Sequence, residues 1–261
     1  MSNDPNSPLR KFETGRVSTQ TPVNAGVFSV IGKFSDEDQF ENFVEHAALN
    51  DEAVEVRSGQ MVSVFHMCPP LAAASVPNTP EGFDESRADL IADVSLQQGE
   101  INAMKSWRAE IEKLKRNFVI AQGLAPFREY IVQPHKEAVK SEKGRFLYWR
   151  FSCAGLVIDC YASADIQIID TNSEMPEIDE ALLKECYSQI ARRQQLYEKR
   201  PDHPYLIASG FQGIAELGLR EKPWRPILVG YLFHSLKRYD NVTPRPAPYI
   251  PKSVDERYVT G

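Results

Sequence analysis

Apolar positions along this chain fall into stretches of different rhythm, separated by proline-rich breaks. Residues 1 to about 26 carry only Leu9, Phe12, Val17 and Val23 as sizeable apolar groups. That is too few for the segment to fold alone, so it reads as an extended N-terminal arm. From Val27 the pattern thickens. Val27-Phe28-Ser29-Val30-Ile31 predicts a strand, and Ser35 three residues before Asp38 resembles a capping box opening a helix. Phe40, Phe43, Val44 and Ala47 then recur at helical spacing up to Asn50-Asp51. Ala53–Arg57 and Met61–Phe65 flank Ser58-Gly59, the signature of a hairpin. Residues 27–70 are therefore expected to form a β-α-β-β unit, half of a ferredoxin-like arrangement, a scaffold that hosts many activities and specifies none.

Pro69-Pro70 and the run through Pro77 and Pro80 mark a surface loop. Beyond it, residues 71–122 read as loop and helix. Leu90, Ile91, Val94, Ile101, Met104, Trp107, Ile111, Leu114 and Phe118 keep helical spacing, with a kink or division at Gln97-Gln98-Gly99. The rhythm from Met104 to Phe118 is that of a coiled-coil seam, though packing on the body's own core serves it equally. Residues 123–239 read as an α+β region. Arg145–Cys153, Leu156–Tyr161 and Ile166–Ile169 suggest an antiparallel meander turning at Ala154-Gly155. Helices follow: one entered near Pro176 with acidic residues first and Arg192, Arg193, Lys199 and Arg200 toward its end, then roughly 205–219 and 226–239. Residues 240–261 are a proline-rich, extended C-terminal arm. The overall expectation is an α+β protein with two extended arms.

Composition narrows the function classes. With 261 residues and 42% hydrophobic content, material for a large core is present. The polar opening Met-Ser-Asn-Asp-Pro does not read as a secretion signal. No apolar run approaches the roughly 18 residues of a membrane span, so the expected location is cytoplasmic, or the virion if the chain is viral. Cys68, Cys153, Cys160 and Cys186 form no C-x-x-C pair and read as reduced core residues, with Cys153 and Cys160 flanking the expected turn. The net charge of -6 is uneven. Residues 184–261 hold 13 Lys and Arg against 8 Asp and Glu, and residues 1–183 hold 17 against 28.

Neither a phosphate-binding glycine loop nor a serine-hydrolase elbow occurs in the sequence. His66 and Cys68 place two soft ligands on one side of a strand end, short of the four that a tetrahedral site takes. Asp159, Asp165 and Asp170 are the carboxylates that would gather in a metal-dependent hydrolase or nuclease, against the plainer reading of an exposed sheet face. Arg192, Arg193, Lys199 and Arg200 could neutralise phosphates or complement a helix dipole, and the aromatic run Phe146–Phe151 could stack bases or fill a core. The reading that results is a non-enzymatic subunit of a multi-chain assembly, of virion or phage type, needing no cofactor or metal. Its arms would lie on neighbouring subunits, with Pro244, Pro246, Pro248, Tyr249 and Pro251 as the C-terminal contacts. Nucleic-acid binding is the first alternative and metal-dependent hydrolysis the second.

Overall fold

A computed structural model describes residues 12–16, 22–35, 42–67, 85–122, 130–238 and 246–259. The chain is mixed α and β. Eight short strands come first: β1 (Phe12–Arg16), β2 (Val23–Ala25), β3 (Val30–Phe34), β4 (Val44–Asn50), β5 (Val54–Val56), β6 (Gln60–Phe65), β7 (Glu85–Ala88) and β8 (Leu90–Val94). The helix α1 (Gln98–Gln122), the ribbon β9 (Lys136–Lys140) and β10 (Phe146–Phe151), and helix α2 (Cys153–Ala162) follow. The chain then runs through α3 (Glu180–Cys186), α4 (Ser188–Lys199), α5 (Pro204–Ser209) and α6 (Val229–Lys237).

Six strands make one antiparallel sheet in the order β1-β8-β3-β4-β6-β7, and β2 pairs with β5 beside it. The two runs β7 and β8 are one strand interrupted only at Asp89. The first run pairs with β6 and the second with β3. At the junction Ala88 accepts from Gly59 N while Asp89 N donates to Gly32 O, so the two partners lie on opposite edges. The sheet therefore curls back on itself. Asp89 pins the join, with its carboxylate accepting from Phe34 N (3.0 Å) and from Arg87 Nε (2.8 Å).

Curling buries both faces. Ile31, Ala48, Val62, Val64, Ala88 and Ile91 meet inside, where the small radius suits alanine and valine. Val30, Val44, Ala47, Leu49, Leu90 and Ala92 face outward into the main core, against α2 and α6. At roughly 25 cal/mol per Å² of apolar surface, burial on two faces is the main stabilising term of this half of the chain. Tyr161 of α2 reaches into it, its hydroxyl donating to Phe28 O at 2.9 Å.

The half ferredoxin-like unit is not what forms. Residues 44–50, expected in a helix, are the strand β4, paired from Val30↔Leu49 to Phe34↔Val44. Helical spacing of Val44 and Ala47 carried no weight because Ala47, Ala48, Leu49 and Asn50 are all buried, which erases any period. The turn at Ser58-Gly59 does form, with Gln60 N donating to Arg57 O (3.0 Å), but β5 and β6 diverge from it to different partners. Residues 85–94 are strands rather than helix, and the expected division at Gln97–Gly99 is where α1 begins. Glu100 caps that start by accepting from Gln97 N at 2.8 Å. Met104, Trp107 and Ile111 spend their stripe on the chain's own core.

The meander is also overturned. β10 ends at Phe151, and Leu156–Tyr161 belong to α2, whose N-cap Ser152 accepts from Gly155 N at 2.9 Å. Nearly every residue of α2 is buried, so strand and helix left the same apolar run in the sequence. A Cβ at position 155 would stand 1.9 Å from His135 O, which is why a glycine sits inside this helix and was mistaken for a turn. Cys153 and Cys160 lie on one helix, both buried and neither in a disulfide, not across a hairpin. The helix predicted near Pro176 exists as α3 and α4, divided at Tyr187 and opened by Asp179, whose carboxylate accepts from Leu182 N (2.8 Å). The last two predicted helices correspond to α5 with a 3-10 turn, Ile214–Leu217, and to α6.

The described parts of both terminal segments lie on the chain's own body. β1 forms the sheet's edge against β8, and β2 pairs with β5. The C-terminal segment 246–259 crosses α6 as a strap: Tyr249 N donates to Ile168 O (3.1 Å), Asp170 N to Tyr249 O (2.9 Å) and Val259 N to Asn42 O (2.9 Å). Among the described residues, no helix is long and apolar enough to cross a membrane.

Candidate functional site

The strap accounts for most of the residues expected to reach a partner from the C terminus. Pro246, Pro248 and Pro251 run over the chain's own surface, and the Tyr249 hydroxyl donates to Glu256. Pro244 lies outside the described residues. Arg257 fastens the far end. Its guanidinium is buried, with Nε donating to Glu185 at 2.7 Å and Nη1 to Val254 O and Asp255 at 3.0 Å, and the Tyr258 hydroxyl joins Glu185 at 2.6 Å. Against the desolvation it suffers, the hydrogen bond and charge of Glu185 hold Arg257 firmly protonated.

The four basic residues of α4 do not act as one patch. Arg193 is 3% exposed and donates to the Tyr205 hydroxyl at 2.8 Å through Nη2, with its guanidinium 5.3 Å from the Tyr205 ring. Arg192, Lys199 and Arg200 are exposed. The phosphate-binding set read from the sequence thus loses its second member to the core.

The three aspartates separate as well. Asp159 sits on α2, where Trp107 Nε1 donates to Oδ2 (2.8 Å) and Lys136 Nζ to Oδ1 (2.7 Å). Asp170 closes a turn by accepting from Asn172 N (3.0 Å) and Ser173 Oγ (2.7 Å), and these bonds lower its pKa. Asp165 is exposed on the turn after α2 with a φ of 59°. A carboxylate bound to an ammonium and an indole N–H is a structural tie joining α1, α2 and the ribbon. Among the described residues no group of three or more His, Cys, Asp or Glu could hold a metal ion.

His66 finds a neighbour that the sequence did not suggest. His46 Nε2 stands 2.8 Å from His66 Nδ1, with the rings edge to face at 5.0 Å. Burial is the main reason His46 titrates well below the usual histidine range, followed by the charges of His66 and Lys33. Cys68, the second soft ligand considered, lies outside the described residues. The two histidines are 20 residues apart, so no local pattern pairs them.

The ribbon collects chemistry the sequence placed in one strand. Register sets Phe151 opposite Lys136, Trp149 opposite Ala138 and Phe146 opposite Lys140, with an irregularity between Phe146 and Tyr148. That irregularity brings Phe146 to the same side as Trp149, ring centroids 5.2 Å apart. Lys136 Nζ lies 4.0 Å from the Trp149 centroid while it binds Asp159. On the other side, Tyr148 is buried and Arg150 donates to Tyr130 O (2.8 Å) and Glu216 O (2.5 Å), so that side is fixed to the body.

No match decides the function. Comparison with protein-family models, with curated proteins and with solved structures found none that matches this chain.

Proposed function

We propose that this protein is a non-enzymatic subunit of a multi-chain assembly, linked to its neighbours through the N-terminal arm. The observation that carries the reading is the place of β1. A five-residue strand from the chain's end supplies the last strand of the sheet, antiparallel to β8 from Phe12↔Val94 to Arg16↔Leu90. It also covers α6.

Main-chain pairing of this kind is tolerant of which chain donates the strand, and exchange of such a terminal strand between identical protomers adds no new interface chemistry. In the proposed assembly β1 of one copy takes the β8 edge of the next. The described part of the C-terminal arm, 246–259, by contrast, bonds within its own chain, which favours the N-terminal arm as the linking element.

Light-scattering mass measured across a range of concentrations tests this. The full chain is expected to give a multimer, and a chain lacking residues 1–21 to lose it. A monomer at every concentration for the full chain would overturn the reading.

A further inference from the structure

We propose that the tip of the β9–β10 ribbon binds single-stranded nucleic acid. One side of the ribbon is held by Tyr148 and Arg150; the other is held at its base by buried Phe151 and the Lys136–Asp159 pair, and comes free toward the tip, where Trp149 is half-buried and Lys140 and Phe146 are exposed. Phe146 is 36% exposed, unusual for a phenylalanine beside a large core. Its ring lies next to Trp149, making a two-ring step at the base of the ribbon's tip.

Charge selects the occupant. Residues 136–151 hold five Lys and Arg against two Glu, in a chain whose net charge is -6. Lys136 and Arg150 are spent on Asp159 and Glu137. Lys140, Lys143 and Arg145 are exposed and take part in none of the ion pairs among the described residues. Three cations around the exposed Phe146 ring and the half-buried Trp149 beside it suit a polyanion whose units present flat faces. Bases in a duplex are stacked on each other and cannot use the rings, so the fitting ligand is an unpaired strand. The basic end of α4 is not required. Nothing on the ribbon distinguishes ribose from deoxyribose, so the ligand class covers both DNA and RNA.

Fluorescence anisotropy of the full chain with labelled 15-nucleotide oligo-dT and oligo-U, from 20 to 200 mM salt, tests the inference. Three phosphate contacts predict a log–log salt slope of about -2. Lys143→Glu with Arg145→Glu is expected to bring the slope to about -1 or shallower, with affinity down at least tenfold. Phe146→Ala is expected to lose about tenfold with the slope unchanged, since stacking rather than charge is removed. All three positions are exposed, and unchanged circular dichroism confirms that each variant folds. Binding of neither strand at 20 mM salt would overturn the proposal. So would equal affinity for duplex DNA or for polyaspartate, or no effect of Phe146→Ala. Preference for one of the two strands identifies which nucleic acid is bound.

Discussion

His46 stands against His66, and the protonation of His46 is linked to folding. Burial first, then His66 and Lys33, depress the His46 pKa below the ordinary value of 6.5. His135 is depressed in the same direction by its burial, which Lys136 adds to and Asp159 opposes. An unfolded chain therefore binds more protons than the native one just below pH 6.5. Stability is then complete above that pH and is lost as pH falls toward the folded values. The slope reaches at most about 1.4 kcal/mol per pH unit for each extra proton. Urea denaturation from pH 7.5 to 5.5 is expected to show this loss, and His46→Gln to show a shallower one. A midpoint that does not move with pH, or an unchanged slope in the variant, would contradict it.

At the scale of elements, the strap over α6 depends on a missing side chain. A Cβ at Gly230 would lie 2.4 Å from Glu256 O and 2.5 Å from Arg257 O, so backbone meets helix directly. Gly230→Ala is expected to lift the strap, breaking the Arg257–Glu185 pair and costing on the order of 3 kcal/mol. Faster amide exchange and proteolysis confined to residues 246–259 would register it, and unchanged protection would refute it. The same elements show what the sequence made legible. The acidic residues after Pro176, Asp179 among them, are a local signal with a local cause, and α3 opens there; the kink or division read at Gln97-Gln98-Gly99 is instead the start of α1, because residues 85–94 are strands. Residues 44–50 and 153–162 were misread because burial on every side removes the alternation that tells strand from helix. The turn at Ser58-Gly59 was readable, yet the partners of β5 and β6 lie far off in sequence. Asp159 reads from the sequence as a candidate metal carboxylate or an exposed-face residue, and its partners Trp107 and Lys136, 52 and 23 residues away, lie beyond any local pattern. Phe146 and Trp149 were named as a possible stacking surface, but only the irregularity after Phe146 puts them on one side.

For the whole molecule, the two ends have different fates. The C-terminal segment is bound to α3, α6 and the stretch before β4 within its own chain, and its charged contacts are internal. The N-terminal segment contributes the edge strand β1, which the proposed assembly draws from a neighbouring copy, so the origin of β1 is the central issue for that proposal. Thr14 and Ala92 are opposed in the ladder, and opposed Cα atoms in such a pair lie about 4.5–5.5 Å apart, within disulfide range. Oxidising the Thr14→Cys, Ala92→Cys chain and separating it on a non-reducing gel reports which chain donates the strand. The account predicts bands at multiples of the single-chain mass, collapsing on reduction; a disulfide formed wholly within single chains would contradict it.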